Sequence, residues 1–523
     1  MTVPVRRAVQ SPGPRVQSFP PPRAVKVPML RLRIIILTEG GKRRGLGHLT
    51  RCLSVAQAFA VRGIVPTAVC RGELKPVALK EFRGTAWVET WDWVKDTVRL
   101  AKKIEGTDIV FIDSYEAPRS AYLDIARSVP LGVYFDDARR LPYPRGIVIN
   151  GAAGAEGLRY ADAAGVRHLL GCRYFPVRKA FWTSPARIIR RDIRTILVML
   201  GGSDSGSLAP RLLNFLGTSR PRSKKVVVIG PGFGRVDDLK NAADDRTTFL
   251  ETPNAPALRK AMRAADVAIS AAGQTLYELA RTGTPTVAIL VDANQRLNAK
   301  GLAKAGFIEY AGPGTARHMS GRVERALGIL DDAGVRRHRS RIGQTLVPGD
   351  GALKIVDAIL KSYVTSRFTL RRFEGRDARG IFLLSNQADI RKNSFRQGAI
   401  RWADHQTWFH KKLTDKNSLC LVAEITGILL GQVRFEMLRD RAWVSISRDF
   451  RGYGLGKDML TRSINFLREA FPGVRTVIAQ IRKENLASIR FFENCGFEYG
   501  GETSIVGQAA VEYILPIQGG LLE

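Results

Sequence analysis

The sequence predicts an α/β protein in which two doubly wound domains precede a smaller α+β domain. Apolar runs repeatedly give way to a glycine-rich loop and then a helix, which is the pattern of parallel sheets covered on both faces. The pattern restarts after the basic segment 187–194 and changes near Ser366 to strands of antiparallel type. The expected domains are residues 30–185, 186–365 and 366–523, preceded by a leader at 1–29.

In the first domain, a parallel strand is expected in "RLRIIIL", which starts at Arg31, and a helix over 48–61 that stops at Gly63. Two further strands, in "DIVFID" (108–113) and "GVYFDD" (132–137), each end in aspartate. Ligands of open α/β sheets bind at the carboxyl ends of the strands, so these ends are candidate site positions.

In the second domain, "TILVMLGGSDSGS" and "KVVVIGPGFG" are each a strand followed by a glycine loop, and "ADVAISAAGQTLYELARTGTPTVAIL" contains strand, helix and strand. In the third domain, "SLCLVAEITGILLGQVRFEML" (418–438) predicts a hairpin that turns at Thr426 and Gly427.

The composition limits the classes of protein to consider but does not identify the binding partner. The 523 residues carry 82 Lys and Arg against 48 Asp and Glu, a net charge of +34. This balance suits nucleic acid, an acidic membrane surface or anionic substrates, and it also fits an arginine-rich solvated surface. The arginines are spread over all segments, which disfavours a nucleic-acid-binding module.

Cysteines and apolar runs indicate a cytoplasmic protein. The five cysteines are scattered and form no CxxC, which argues against a disulfide framework and a zinc site. No apolar run approaches the ~18 residues of a membrane span. The first 28 residues are rich in Pro and Arg and lack the apolar centre of a signal peptide, so we expect a disordered leader, with Met29 as an alternative start.

A first site is predicted where the first strand meets its helix. Gly45 and Gly47 let backbone amides approach an anion, the basic residues 42–44 add charge, and the helix dipole favours a neutral His48 able to accept a proton. A glycine turn with an incidental histidine is the alternative. In the second domain, Gly273–Thr275 form a similar helix start, and Glu278 is placed to accept two ribose hydroxyls.

Five motifs in order, "GLGHLTRCLSVAQAF", "FIDSYEAP", "VYFDDARR" with "IVING", "ILVMLGGSD" and "ISAAGQTLYELARTGTPTVAILVDANQ", resemble the UDP-sugar hydrolases of the pseudaminic acid pathway. That family is related in fold to GT-B glycosyltransferases, and the resemblance covers about 29–364. It implies two Rossmann-like domains and hydrolysis of UDP-2,4-diacetamido-2,4,6-trideoxy-β-L-altropyranose by water without a metal.

The resemblance also implies site residues. His48 matches the catalytic histidine that activates or orients water, and Tyr115 matches the tyrosine of an Asp-x-Tyr motif. The alternatives are a packing role for Tyr115, helix capping for Asp113 and Asp136, and a plain turn at Asn294 and Gln295. The residues expected to bind the UDP-sugar are Gly45, Gly47, Arg51, Asp113, Gly202, Ser203, Gly273, Gln274, Thr275, Glu278, Asn294 and Gln295.

A second site is predicted in the third domain. The loop in "SISRDFRGYGLGKDML" offers consecutive amides to a pyrophosphate, and "ENLASIRFFENCGFEYGGE" follows about thirty residues later. Together they resemble the GNAT acetyltransferases over about 368–515. The resemblance implies an acetyl-CoA site formed by Arg451, Gly452, Gly454, Gly456, Asn485 and Ser488.

The segment 384–413 resembles the substrate half of GNAT enzymes that N-acetylate 4-amino sugars on nucleotides. Phe492 stands where many members carry a tyrosine that protonates the leaving thiolate, which puts that step in doubt. His405, Glu424 and Glu436 are candidate bases, each with a structural role as the alternative.

The two resemblances predict a bifunctional enzyme that acetylates a UDP-4-amino sugar and then hydrolyses the product. The alternative is a GT-B glycosyltransferase with an accessory acetyltransferase domain. The expected partners are the UDP-sugar and acetyl-CoA, with no nucleic acid and no metal. The sequence leaves the sugar stereochemistry and the oligomeric state open.

Overall fold

The computed structural model describes residues 32–41, 45–72, 80–202, 208–234, 236–448 and 455–517, which contain three sheets. The predicted leader at 1–29 lies outside the described residues. The first sheet has seven parallel strands in the order β3-β2-β1-β4-β5-β6-β7. Its elements are β1 Ile34–Glu39, α1 Gly47–Val61, β2 Thr67–Arg71, β3 Trp87–Thr90, α2 Thr97–Ile104, β4 Ile109–Asp113, α3 Arg119–Ser128, β5 Leu131–Phe135, β6 Gly146–Asn150 and β7 Val166–Leu170.

The second sheet has six parallel strands in the order β10-β9-β8-β11-β12-β13. Its elements, with the helices around it, are β8 Thr195–Met199, α4 Leu208–Ser219, β9 Lys224–Ile229, α5 Val236–Asn241, β10 Thr247–Glu251, α6 Ala255–Ala264, β11 Val267–Ala271, α7 Thr275–Thr282, β12 Thr286–Leu290, α8 Arg296–Lys304, β13 Ile308–Pro313, α9 Met319–Leu330, α10 Ala333–Leu346 and α11 Gly351–Arg367.

The third sheet has seven strands in the order β14-β15-β16-β17-β18-β20-β19, and it is antiparallel except between β17 and β18. Its elements are β14 Thr369–Arg372, α12 Ala378–Ser385, α13 Ala388–Asn393, α14 Trp402–Thr414, β15 Ser418–Ile425, β16 Ile428–Leu438, β17 Arg441–Arg448, α15 Leu455–Ala470, β18 Thr476–Arg482, α16 Leu486–Glu493, β19 Glu498–Ile505 and β20 Gln508–Pro516.

The predicted fold class is confirmed, and its physical basis is visible in the central strands. All six residues of β1 and all five of β4 are buried, as expected for strands covered on both faces. The predicted hairpin joins β15 to β16, and its turn residues Thr426 (φ 47°) and Gly427 (φ 78°) both have left-handed backbone conformations.

The strand order fixes where the first two sheets can bind a ligand. In the first sheet the order reverses between β1 and β4, and in the second sheet it reverses between β8 and β11. At such a switch point the loops that leave neighbouring strands diverge and open a crevice at the carboxyl edge.

Helix α11 links the domains, because it follows the second sheet in the chain yet packs on the first domain. Arg62, directly after α1, donates three hydrogen bonds to Asp357, at 2.6, 2.8 and 2.9 Å, and Tyr363 donates to Asp108 at 2.5 Å. Ile355 and Ile359 are fully buried. The predicted boundary at 365 therefore falls in the last turn of a helix that holds the first two domains together. Within the described ranges, no helix is long and apolar enough to cross a bilayer.

Candidate active sites

A cleft of about 940 Å³ lies between the carboxyl edges of the first two sheets. Loops that follow β1, β4 and β5 contribute one wall, and loops that follow β8, β9, β11 and β12 contribute the other. Most of the residues predicted for the first site line it, namely Gly45, Gly47, His48, Arg51, Tyr115, Gly202, Gly273, Gln274, Thr275, Glu278, Asn294 and Gln295. Ser203 and the basic residues 42–44 lie outside the described residues.

Two helix N-termini meet in this cleft, as the sequence predicts. Helices α1 and α7 begin after Leu46 and Gln274, and neither start has a side-chain cap. The N–H groups before Thr50 in α1 and before Leu276 in α7 are the ones open to an anion, because Leu276 and Tyr277 already donate to the Gly273 and Gln274 carbonyls. A Cβ on Gly47 would lie 3.3 Å from the side-chain amide nitrogen of Gln274, so glycine leaves room for the Gln274 side chain against the start of α1.

His48 is oriented by a buried carboxylate. Its Nδ1 lies 2.5 Å from Asp113, whose side chain is fully buried at the end of β4. Although burial alone would raise the pKa of Asp113, the charge of Arg51 and the hydrogen bonds from Arg51 and His48 hold it well below its ordinary value. The ionised Asp113 accepts the Nδ1 hydrogen, and Nε2 is left as the nitrogen able to accept a proton.

Arg51 joins this pair to a second carboxylate. Its Nε donates to Asp113 at 2.5 Å, and its Nη1 donates to Asp137 at 2.6 Å. Burial opposes the charge, but the two carboxylates raise the pKa of Arg51 above its ordinary value. The guanidinium therefore remains charged in an almost fully buried position.

Tyr115 completes the series of contacts. Its hydroxyl donates to Asp137, and its ring meets the His48 ring edge to face with centroids 4.4 Å apart. Glu39, at the end of β1, accepts from the Tyr115 backbone N–H at 2.7 Å and so fixes the loop that carries the ring. We call His48, Asp113, Arg51, Asp137 and Tyr115 the carboxylate–arginine chain.

The structure places two predicted ligand residues differently from the sequence analysis. Asp113 is fully buried behind His48, so it orients the histidine in place of the expected contact with the sugar. The nitrogens of Arg51 are engaged by carboxylates, which gives this residue a supporting position in the cleft wall. Asp136 accepts from the backbone N–H groups of Arg139 and Arg140 and so closes a turn; no helix begins at these described residues, which differs from the helix capping considered for it.

Sequence reasoning missed Asp137 and Glu39. The doubled aspartate that ends "GVYFDD" was a signal for Asp137, because the first aspartate turns back to cap its own loop and the second faces the cleft. Glu39 had the signal of an acidic residue at the carboxyl end of a buried strand.

Glu278 lines the cleft, but both its oxygens are engaged. Arg178 donates to them through Nε at 2.7 Å and Nη2 at 2.8 Å, and it also lies 3.5 Å from Glu81. Burial opposes the charge of Arg178, whose pKa is nevertheless raised by Glu278. A ribose would therefore have to share Glu278 with this arginine. Asn294 and Gln295 belong to a short 3-10 turn, and Gln295 accepts from the Val291 backbone N–H at 3.2 Å.

The third sheet has its own candidate site between β17 and β18. These parallel strands pair at only three positions, 441–443 with 476–478, and their remaining residues are not paired with each other. Arg451, Gly452 and Gly454 lie outside the described residues. A Cβ on Gly456 would meet Arg448 at 2.5 Å, so the first turn of α15 has no room for a side chain there.

Asn485 and Ser488 form the start of α16. The Asn485 side chain accepts from the Ser488 backbone N–H at 3.2 Å, which is an N-cap. Phe492, on the same helix, is 5% exposed and packs edge to face against Phe491 and Phe497. It is a core residue with no proton to donate.

The three residues considered as acetyltransferase bases each have a structural partner. His405 donates through Nε2 to the Ala378 carbonyl at 2.8 Å, and burial lowers its pKa. Glu424 accepts from Arg371 at 2.7 Å, and Glu436 lies 3.1 Å from Lys412. None is thereby identified as the base. Across the described part of the chain, no three His, Cys, Asp or Glu side chains are grouped to hold a metal ion.

Two family models match parts of the chain. Residues 196–311 match the glycosyltransferase family 28 C-terminal domain, and residues 367–498 match the acetyltransferase (GNAT) domain. These matches fall on the second and third sheets. They support the predicted order of a glycosyltransferase-like region followed by a GNAT domain.

Several curated proteins are similar at low identity. An uncharacterized protein of Methanocaldococcus jannaschii is 23% identical over 89% of this chain and 97% of its own length. The spore coat polysaccharide biosynthesis protein SpsG of Bacillus subtilis is 23% identical over 63% of this chain and 98% of its own. The pseudaminic acid cytidylyltransferase and UDP-2,4-diacetamido-2,4,6-trideoxy-beta-L-altropyranose hydrolase of Helicobacter pylori is 23% identical over 53% of this chain; the match spans 48% of that relative.

Solved structures similar to the chain include spermidine N-acetyltransferase from Vibrio cholerae in complex with CoA and spermine. It is 20% identical to this chain, and the match, with a TM-score of 0.26, covers 29% of this chain and 96% of the acetyltransferase chain. A domain from Methanocaldococcus jannaschii is 18% identical, covers 29% of this chain and 99% of its own, and has a TM-score of 0.26.

Proposed function

We propose that this chain, which joins a glycosyltransferase-like region to a GNAT acetyltransferase domain, carries out two consecutive steps on a nucleotide sugar. The GNAT domain acetylates a UDP-4-amino sugar, and the cleft hydrolyses the resulting UDP-2,4-diacetamido-2,4,6-trideoxy-β-L-altropyranose to UDP and free sugar. The names of the Helicobacter pylori relative and of the two family models support this pair of activities.

The observation that carries the hydrolase is the pairing of His48 with Asp113 at 2.5 Å on the wall of the cleft. Because Nδ1 is committed to Asp113, Nε2 accepts a proton from a water molecule. The water oxygen bonds to the anomeric carbon of the sugar as the bond from that carbon to the diphosphate oxygen breaks. UDP leaves with the bonding electron pair, and the proton remains on His48.

The leaving diphosphate is bound by the two helix starts. The uncapped N-termini of α1 and α7 face one cleft and supply N–H groups together with the positive ends of two helix dipoles. These donors stabilise the negative charge that develops on UDP as the glycosidic bond breaks. No metal enters this proposal.

The GNAT domain uses acetyl-CoA. The 4-amino nitrogen of the sugar attacks the thioester carbonyl, the carbon–sulfur bond breaks, and CoA leaves as a thiolate. The residues that the GNAT resemblance assigns to acetyl-CoA binding are Arg451, Gly452, Gly454, Gly456, Asn485 and Ser488. Since Phe492 has no proton, water or another group protonates the thiolate.

A coupled assay tests both steps. Purified protein given UDP-4-amino-4,6-dideoxy-N-acetylaltrosamine and acetyl-CoA is expected to release CoA first and UDP second. The variant His48→Ala should release CoA normally and accumulate the diacetamido UDP-sugar. No release of UDP from that sugar by the wild type would contradict the hydrolase, and loss of both products in the variant would indicate misfolding.

A glycosyltransferase is the second candidate, favoured by the match of residues 196–311 to glycosyltransferase family 28. In that case the hydroxyl of an acceptor replaces water at His48. UDP release would then depend on an added acceptor, whereas the hydrolase releases UDP in buffer alone.

A further inference from the structure

The direction of the Tyr115 hydrogen bond is set by Asp137. One oxygen of Asp137 accepts from Arg51 at 2.6 Å, and the other accepts from the Tyr115 hydroxyl. Because the carboxylate accepts through both oxygens, the phenol must be the donor. A tyrosine has only one hydroxyl proton, so Tyr115 offers the cleft a lone pair and no hydrogen.

The direction of the His48 hydrogen bond is set in the same way. Nδ1 donates to Asp113, which is ionised and also accepts from Arg51, and Nε2 therefore offers a lone pair. Arg51 holds both carboxylates and so fixes both directions at once. The carboxylate–arginine chain thus ends in two hydrogen-bond acceptors, one at each end.

The two residues that carry these acceptors line one cleft, with their rings in contact. The rings of His48 and Tyr115 touch edge to face with centroids 4.4 Å apart, and both residues belong to the cleft wall. Tyr115 is 40% exposed, so its ring is accessible from the cleft. A small molecule with two O–H bonds on one oxygen atom can donate one hydrogen bond to His48 and one to Tyr115.

We propose that His48 and Tyr115 together select water over an alcohol as the nucleophile, with Asp137 as the positioning residue. This inference rests on the proposed hydrolysis at His48. Water donates one hydrogen to each acceptor, and its lone pair remains for the anomeric carbon. An alcohol has one O–H, so it leaves one acceptor without a donor in a partly desolvated cleft, which disfavours its attack roughly 10- to 100-fold.

The step is balanced with water and the UDP-sugar alone. The water oxygen bonds to the anomeric carbon, the bond from that carbon to the diphosphate oxygen breaks, and UDP leaves with the electron pair. One proton passes to Nε2 of His48, and the other stays on the new sugar hydroxyl, hydrogen-bonded to Tyr115. With methanol, a methyl group occupies the place of this second hydrogen, and the product is a methyl glycoside.

Product partition in water–methanol mixtures tests the selection. The sugar product is separated by mass into free sugar and methyl glycoside, and their ratio is compared with the solvent composition. The wild type should form far less glycoside than the methanol content predicts. Tyr115→Phe should slow UDP release and raise the glycoside-to-sugar ratio about 10-fold or more, because one unmatched acceptor is gone.

Two further variants distinguish a loss of the selection of water over methanol from a general disturbance of the structure. Asp137→Asn leaves one acceptor oxygen to serve both Arg51 and Tyr115, so the phenol can turn its proton to the cleft, and a smaller rise in the ratio is expected. Tyr134→Phe is the matched control, since Tyr134 is a fully buried tyrosine of the same domain whose hydroxyl donates to the Arg145 carbonyl and which does not line the cleft. Its ratio should equal that of the wild type.

An unchanged ratio in Tyr115→Phe overturns the proposal, as does a wild type that forms glycoside in proportion to methanol. A wild type that releases no UDP in either solvent overturns the proposed function itself. The Tyr115 arrangement has a separate readout by ¹³Cζ-tyrosine NMR, assigned with Tyr115→Phe. Burial and the charge of Asp137 raise the pKa of Tyr115, so its resonance is expected to titrate above the ordinary pKa of ~10.

Discussion

Replacing Asp113 by asparagine changes one atom at the centre of the carboxylate–arginine chain. Asp113 accepts from His48 Nδ1 and from Nε and Nη2 of Arg51, so both of its oxygens serve as acceptors. Asparagine supplies one acceptor oxygen and one N–H₂ donor in the same volume. If the oxygen faces Arg51, the amide donates to Nδ1, and the His48 proton moves to Nε2.

This tautomer removes the base of the proposed hydrolysis. Nε2 then carries a proton and has no lone pair for water. The equivalent exchange in the serine-protease triad, where Asp orients His in the same manner, lowers kcat about 10⁴-fold. For Asp113→Asn we expect a loss of roughly 10³- to 10⁴-fold in kcat for UDP release, or about 4–5 kcal/mol at 1.36 kcal/mol per tenfold.

Stability should fall as well, in a pH-dependent manner. Asparagine removes one carboxylate of a fully buried ionic group but leaves Arg51 its bond to Asp137, so we expect a cost near the lower end of the range for broken buried pairs, about 3 kcal/mol. The pKa of Asp113 is lowered on folding. Its contribution is therefore fully present above the unfolded pKa of ~3.9 and is lost as the pH falls below it.

UDP release, CoA release and urea unfolding between pH 3 and pH 8 measure these effects in one set of variants. CoA release should be unchanged, because the side chains that Asp113 contacts, those of His48 and Arg51, belong to the first sheet and its helix α1. Asp266→Asn is the matched control: Asp266 is buried, accepts from the Arg194 and Thr195 backbone N–H groups at 2.9 Å, and does not line the cleft. It should lose stability but keep its kcat. A folded Asp113→Asn protein with more than a tenth of wild-type kcat would refute the reasoning.

Three other substitutions test separate parts of the structure. Gly47→Ala places a Cβ 3.3 Å from the side-chain amide of Gln274 and should weaken UDP binding several-fold by calorimetry, while an unchanged affinity would show that the Gln274 side chain can move without disturbing the site. Phe492→Tyr buries a hydroxyl among aromatic rings and should lower the free energy of unfolding by about 1–3 kcal/mol. A faster release of CoA by this variant would show instead that the new hydroxyl reaches the thiolate. Thr426→Asn should stabilise the GNAT domain by about 0.5–1 kcal/mol in urea unfolding, because asparagine tolerates the left-handed conformation at φ 47° better than threonine; a loss of stability would contradict this.

Much of the fold could be predicted from local patterns in the sequence. The continuous apolar run of β1 predicts a strand buried on both faces, and the residues Thr426 and Gly427 predict the turn of a hairpin. Helix α1 begins at Gly47, one residue before the predicted start. The cleft position also follows from pattern, because strand ends of parallel sheets converge on one edge.

Side-chain partners could not be predicted in the same way, since they depend on contacts between distant segments. Asp113 is 65 residues from His48, and Glu278 is 100 residues from Arg178, which takes the oxygens expected to bind ribose. In both cases the sequence showed a polar residue at a strand or helix end but not which group it faces. The return of α11 to the first domain is of the same kind, because Asp357 meets Arg62 across 295 residues.

The central claim, that His48 directs water to the anomeric carbon, is tested most directly by oxygen-isotope incorporation. Wild-type protein hydrolyses the diacetamido UDP-sugar in H₂¹⁸O, and mass spectrometry locates the label in UDP and in the sugar, with the product analysed before anomeric exchange. We predict ¹⁸O in the sugar at C1 and none in UDP. Label in the terminal phosphate of UDP, or release of UDP only after a sugar acceptor is added, would contradict the claim.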